Sequence, residues 1–151
     1  MKKLFLFILI NLTLSCFANS QNTVDNSKQK KEIYSLIDKY VEARENRDTV
    51  LLKSILSPDI DQLVSTGERR YGIEGAMKGM LQSSKSKPGT RTIKIEKIRF
   101  LNAETGIVDA RYEIRNVDST TRKMWSTFIV FYTVDMWKIT AIRNMLPTGQ
   151  N

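Results

Sequence analysis

The chain has 151 residues, one cysteine and no histidine, and its 24 basic and 16 acidic residues give a formal net charge of +8. The missing histidine excludes serine and cysteine nucleophiles activated by an imidazole, histidine-ligated zinc, and an imidazole general base. One cysteine excludes an internal disulfide framework, so a domain of this length must be held together by its hydrophobic core.

The first twenty residues are predicted to be a secretory signal peptide. A basic start, MKK, precedes the apolar run LFLFILINLTL, and small residues then suit cleavage before Gln21. The alternative is lipoprotein processing at Cys16, and only in that case would we expect membrane attachment. We therefore expect export to the periplasm or the outside of a bacterial cell. A flexible leader is predicted at 21–27 and a single domain at 28–151.

Three helices are predicted in the first half of this domain. The segment KQKKEIYSLIDKYVEARENRD carries apolar residues at three- and four-residue steps, namely Ile33, Leu36, Ile37 and Tyr40. That spacing is typical of an amphipathic helix. Asp48 is a suitable N-cap for a second helix, TVLLKSIL, which should end before Pro58. After a short strand in DIDQLVS, the segment IEGAMKGMLQSS predicts a third helix.

Four strands are predicted in the second half, at residues 92–101, 106–117, 123–134 and 137–145. Short connections between them indicate an antiparallel meander. In the first strand the apolar parity slips at Glu96, and a β-bulge there would keep its apolar residues on one face. The third strand is apolar on both faces, which is typical of a central strand.

The last predicted strand, WKITAIRNM, places an arginine on its apolar side. Simple alternation puts Trp137, Ile139 and Ala141 on one face and continues that face into Arg143. Helices grouped before strands indicate an α+β domain whose helices cover one face of the sheet. A bent sheet covered in this way encloses a pocket, and Arg143 is expected at its mouth.

Motifs near both ends of the domain carry a family resemblance. A tyrosine-bearing first helix, the segment RYGIEGA and the ending WKITAIRNMLP resemble the nuclear transport factor 2-like superfamily. The ending is similar to its SnoaL-like and SgcJ/EcaC-type exported members. The resemblance covers residues 30–147 and implies a cone-shaped fold, also called a cystatin-like roll. In that fold a curved antiparallel sheet packs on three N-terminal helices, and many different functions use it.

Ketosteroid isomerases of this superfamily use a first-helix tyrosine and two acids, and only the tyrosine is matched here. Tyr40 resembles the oxyanion donor. Counting without gaps places Leu63 or Val64 at the general-base position and Ile129 near the second acid. Because both carboxylates are absent, the pattern does not favour isomerase chemistry of that type.

The residues expected to line the pocket and contact a ligand are Tyr40, Tyr112, Trp125, Arg143 and Asn144. Trp125 would serve equally well at a dimer interface. Arg143 has three interpretations: contact with an anionic ligand, an ion pair with a helix carboxylate such as Glu42 or Glu45, or exposure to solvent.

The leading hypothesis is a domain that binds a small apolar or anionic molecule in an apolar pocket, without established catalysis. A homodimeric interaction module with a vestigial pocket is the first alternative, since a strand that is apolar on both faces needs a cover. The second alternative is an isomerase, cyclase or dehydratase that uses Tyr40, Asp59 or Asp61. We expect no metal and no cofactor. The scattered basic residues do not indicate nucleic-acid binding.

Overall fold

The computed structural model describes residues 26–86 and 88–147. The predicted signal peptide at 1–20 and most of the predicted leader at 21–27 lie outside these residues. No helix in the described part of the chain is long and apolar enough to cross a membrane.

The first two helices form where the sequence predicts them. Helix α1 spans Ser27–Asn46 and buries the predicted apolar stripe, which continues beyond Tyr40 into Ala43 and Arg44. Helix α2 spans Thr49–Ile55. The carboxylate of its N-cap, Asp48, accepts hydrogen bonds of 2.9 Å from two backbone amides of the first turn, as predicted.

The middle of the chain contains more strand than the sequence predicts. Strand β1 spans Leu56–Leu63 and follows α2 directly, and β2 spans Arg69–Tyr71. Pro58 therefore lies inside β1, where the register against the neighbouring strand shifts between Leu56 and Asp61. A proline is tolerated there because the interrupted ladder does not need its missing amide hydrogen. Helix α3 then spans Gly72–Ser86.

The four predicted C-terminal strands are present as an antiparallel meander. They are β3 (Gly89–Phe100), β4 (Thr105–Asn116), β5 (Thr121–Thr133) and β6 (Met136–Met145). The complete sheet has the order β2-β1-β6-β5-β4-β3. Because β1 pairs with β6 in parallel, the sheet is mixed rather than wholly antiparallel. The predicted bulge at Glu96 is confirmed, since the register shifts between Ile95 and Lys97.

The helices cover one face of this curved, open sheet. We call it the inner face and define it by Val108, Ala110, Phe128, Val130 and Ile139, all of which are buried. The opposite face is the outer face. The sheet and helices together form the predicted α+β cone.

A second β-bulge, at Thr140, makes the predicted parity of the last strand wrong. Ile139 pairs with Val130 and Ala141 pairs with Ile129, so Thr140 is left without a cross-strand partner. An extra residue of this kind shifts the alternation of every side chain beyond it.

The consequence of this bulge is an exchange of faces within β6. Before it, Trp137 and Ile139 point to the inner face. After it, Ile142 and Asn144 do so, because they pair with inner-face residues of β5. Arg143 therefore lies on the outer face, not on the continuation of the apolar face.

The core fills one end of the cone. Phe128 is fully buried, and its ring contacts the edge of Tyr40 at a centroid distance of 5.5 Å. Trp137 closes that end by packing against Phe100 and Tyr132, at centroid distances of 6.0 and 5.4 Å. Apolar packing becomes sparser beyond Tyr40, and the space there is a cavity.

Candidate functional site

A cavity of about 220 Å³ lies between the inner face, helices α1 and α3, and the β1–β2 connection. Its floor is built from rows of cross-strand neighbours. The outermost row is Arg91, Ile114 and Arg122, which pair across β3, β4 and β5. The next row inward contains Tyr112 and Met124. Adjacent strands lie about 4.8 Å apart, so Arg91 and Arg122 begin about 10 Å from each other.

The lining of this cavity combines apolar side chains with basic ones. Four arginines contribute to it: Arg44 from α1, Arg70 from β2, Arg91 from β3 and Arg122 from β5. The pocket predicted as apolar does have apolar side chains in its lining, among them Ile114, Met124 and Ile142, and the arginines add a basic character that was not predicted. The regular alternation of β3 and β5 carries two of the arginines to the inner face.

Two of the four arginines have carboxylate partners. Arg70 donates to both oxygens of Glu68, with Nε–Oε1 and Nη2–Oε2 distances of 2.8 and 3.2 Å. Arg91 Nη1 lies 3.7 Å from Glu45 Oε1, and the same oxygen accepts the Arg91 backbone amide at 2.8 Å. The charges of these two guanidinium groups are thus compensated within the protein.

The other two arginines are held by serine hydroxyls. Arg44 Nη2 donates to Ser83 Oγ at 2.9 Å, and Arg122 Nη2 donates to Ser65 Oγ at 2.5 Å. Within residues 26–86 and 88–147, neither forms a salt bridge. A hydroxyl orients a guanidinium group but does not neutralise its charge.

Arg44 is the more deeply placed of these two side chains, with only 8% of its surface exposed. Its Nε is buried and meets no acceptor among the described residues. Burial acts to lower the pKa of Arg44, but Tyr40, Tyr112 and Glu45 outweigh it and the pKa is raised. Arg44 is therefore a permanent, nearly buried cation at the cavity.

Two tyrosine hydroxyls adjoin this cation. Tyr40 precedes Arg44 by one helical turn, and Tyr112 lies on the sheet beneath it; both line the cavity. Burial raises the pKa of Tyr40 above its usual value. At neutral pH the Tyr40 hydroxyl is therefore protonated and can donate a hydrogen bond to an anion.

Comparison with known proteins identifies the fold. No family model and no curated protein matches the chain. Among solved structures, a domain of unknown function with a cystatin-like fold from Nostoc punctiforme matches with a TM-score of 0.72 and 14% identity, over 80% of this chain and 78% of that one. A protein of unknown function from Shewanella oneidensis, described as NTF-2 like, matches with a TM-score of 0.64 and 19% identity, over 78% and 98%.

A ketosteroid isomerase-like protein from Erwinia carotovora atroseptica matches with a TM-score of 0.67 and 12% identity, over 76% of this chain and 93% of that one. The chain has a nuclear transport factor 2-like fold. The predicted fold is thereby confirmed, whereas the narrower SnoaL-like assignment stays a prediction.

In this nuclear transport factor 2-like fold, three of the five predicted ligand-binding residues share the cavity. They are Tyr40, Tyr112 and Asn144. The Asn144 amide oxygen accepts a hydrogen bond from the buried hydroxyl of Ser126, which fixes its orientation.

Arg143 and Trp125 are placed elsewhere, which corrects their predicted position at the pocket. Both lie on the outer face. Arg143 Nη2 donates to Asp61 Oδ2 at 2.5 Å, and its Nη1 donates to the Asp61 carbonyl at 2.8 Å. The predicted partners on the first helix, Glu42 and Glu45, are not used. The ring of Trp125 lies under Arg111, whose guanidinium carbon is 3.3 Å from the ring centroid.

The two carboxylates of the predicted enzyme alternative, Asp59 and Asp61, do not line the cavity. Asp59 is exposed, and Asp61 is bound on the outer face by Arg143 and Arg69. Among the described residues, Glu68 is the one carboxylate in the lining. Its hydrogen bonds to Arg70 and the charge of Arg70 lower its pKa, which makes it a weak base.

Gly79 on α3 gives Arg70 the space to reach the cavity. A Cβ atom at Gly79 would lie 2.3 Å from Arg70 Nη1. A Cβ atom at Gly75, one turn earlier, would meet Arg70 only at an ordinary contact distance of 3.5 Å. The absence of a side chain at Gly79 therefore positions a guanidinium group, although glycine weakens a helix.

The outer-face ion pair leads to a stability prediction. Arg143→Gln should lower the free energy of unfolding by about 1–3 kcal/mol, because Asp61 loses its closest cationic donor in a half-buried setting. Urea denaturation measures this change. Arg115→Gln, at an exposed outer-face position of β4, is the control and should change stability by about 0.5 kcal/mol or less. Equal effects of the two substitutions would contradict the structural role of Arg143.

The two glycines of α3 form a matched pair for a second prediction. Gly75→Ala should stabilise the protein by up to about 1 kcal/mol through helix propensity alone. Gly79→Ala should stabilise the protein less than Gly75→Ala does, and it should displace the Arg70 guanidinium group. Urea denaturation and the arginine Nε–H signals in ¹H–¹⁵N spectra report the two effects. An unchanged Arg70 signal in Gly79→Ala would refute the positioning role.

Proposed function

We propose that the protein binds a small anionic molecule in its interior cavity. The observation that carries the proposal is Arg44, a cation with 8% exposure, a buried Nε without an acceptor and no salt bridge to a carboxylate in the described residues. Placing an ionised group in such surroundings costs several kcal/mol unless an opposite charge compensates it. A bound anion would supply that charge.

The groups around Arg44 suit an anion because they are hydrogen-bond donors and because one of them is also positively charged. Tyr40 and Tyr112 supply hydroxyl donors, and Arg122 supplies a second guanidinium group whose charge is not paired in the described residues. Hydrogen bonds in which the donor or the acceptor is ionised are about twice as strong as those between neutral groups, so several such donors favour an anion strongly over water.

The residues of the lining favour ligand binding without proton transfer. The one described carboxylate in the lining, Glu68, is held by Arg70 and is weakly basic. Tyr40 can stabilise negative charge, but no residue of the described lining is suited to remove a proton. The likeness to a ketosteroid isomerase-like protein therefore supports a shared fold rather than a shared reaction.

Replacing Arg44 tests this proposal through two quantities, the affinity for anions and the stability of the unliganded protein. Arg44→Gln should weaken the binding of small carboxylates or phosphate about tenfold or more, because it removes a charged donor that is itself nearly buried. The same substitution should change the stability of the unliganded protein by no more than about 1 kcal/mol, because Arg44 loses one hydrogen bond, to Ser83, and no salt bridge. Isothermal titration calorimetry and urea denaturation measure the two quantities.

The control is again Arg115→Gln, which removes an arginine of equal charge from the outer face and should change neither quantity. If Arg44→Gln lowered stability and left anion binding intact, Arg44 would be a structural residue and the proposal would fail.

A homodimeric interaction module is the second candidate, and the outer face favours it. Trp125, Ile129 and Phe131 lie on this face of β5, with Ile107 beside Ile129 and Met145 beside Trp125. Phe131 and Met145 are 41% and 51% exposed. Apolar side chains exposed on a sheet face suit a self-complementary contact.

A charge placed on that surface should break the dimer. Phe131→Glu is expected to give a monomer under conditions in which the wild type is dimeric, since the contact would have to bury an unpaired carboxylate. Val134→Glu, at a 94% exposed position in the β5–β6 turn, should leave the dimer unchanged. Sedimentation velocity over a range of concentrations gives the association state. A wild type that stays monomeric throughout would exclude this candidate.

A further inference from the structure

We infer that the anion is a short dicarboxylate, a molecule with two negative groups separated by an apolar spacer. This inference rests on the proposed function, because it specifies the ligand of the same cavity. It follows from the number of uncompensated charges, from their placement and from the residues between them.

Two of the positive charges in the lining have no salt bridge to a carboxylate of the described residues. Four guanidinium groups reach the cavity, and carboxylates of the protein compensate two of them, at Arg70 and Arg91. Arg44 and Arg122 are bound by hydroxyl groups, which bring no negative charge. A monoanion would neutralise only one of these two cations, whereas a dianion would neutralise both.

The two uncompensated cations are anchored separately and on different layers. Arg44 extends from α1 and is bound to Ser83 of α3, so it belongs to the helical wall. Arg122 extends from the outermost row of the sheet and is bound to Ser65 in the β1–β2 connection. Because each serine fixes its own guanidinium group, the site offers two oriented cationic points rather than one.

Apolar side chains line the same space. Ile114 stands beside Arg122 in the outermost row, Met124 lies in the next row inward, and Ile142 faces the cavity from β6. Methylene groups of a ligand would remove this apolar surface from water, which a compact inorganic anion cannot do to the same extent. The cavity volume of about 220 Å³ restricts such a ligand to a short chain.

The test uses three probes that separate charge from size. Succinate has two carboxylates, butyrate has the same four-carbon chain with one carboxylate, and inorganic phosphate, titrated at about pH 8, is a dianion without a spacer. Calorimetric titration of the full protein at constant ionic strength should give an affinity for succinate at least about tenfold higher than for butyrate or phosphate.

The variant Arg122→Gln tests whether Arg122 binds the second carboxylate of the ligand. It should bring the affinity for succinate down to that for butyrate and leave the affinity for butyrate nearly unchanged, while Arg44→Gln should weaken both ligands. The comparison of probes on the wild-type protein stands even if a variant fails to fold.

The possible failures are distinguishable. Equal affinities of the wild type for succinate and butyrate would overturn the dicarboxylate inference and leave the binding of small anions in place. Tighter binding of phosphate than of succinate would also overturn it. Failure of all three probes to bind would count against the proposed function itself.

Discussion

The interior site depends on one guanidinium group, that of Arg44, which the first helix buries without a salt bridge to a carboxylate in the described residues. Arg44 follows Tyr40 by one turn of α1, so the stripe that packs the core becomes cationic at that point. An apolar core cannot close over such a group, because its charge needs polar contact. The same helix therefore seals one end of the cone and keeps the other end open. The size of the cavity is a consequence of electrostatics as much as of shape.

Much of this architecture was predictable from periodicity, and the misplacement of Arg143 has a specific physical origin. Periodicity located the three helices and the meander, and the parity slip at Glu96 correctly predicted a bulge. The same periodicities, extended from the apolar residues of α1, β3 and β5, would have placed Arg44, Arg91 and Arg122 on the inner side. For Arg143 such an extension failed, because Ala141 continues the original alternation and hides the slip between Ile139 and Ile142, which pairing with β5 reveals as a bulge.

The contents of the cavity show how a common fold carries a particular site. The outer walls follow from sheet curvature and helix packing, which similar structures share at identities of 12–19%. The interior chemistry depends on a few positions at strand ends and helix faces, where the fold tolerates almost any side chain. Arg70 illustrates the limit of sequence reasoning, since its place in the lining depends on a space left by Gly79, which belongs to another element.

The bulge at Glu96 has a second effect, because β3 is the last strand of the sheet. Its free side presents backbone groups that could pair with another chain, although Glu45 occupies the amide of Arg91 at the start of the strand. Long, regular edges recruit other strands, whereas interrupted and charged edges repel them. The bulge breaks the edge near its middle, and Lys94, Lys97 and Arg99 charge it. The bulge at Glu96 thus also makes this edge of the sheet a poor template for edge-to-edge pairing with another chain.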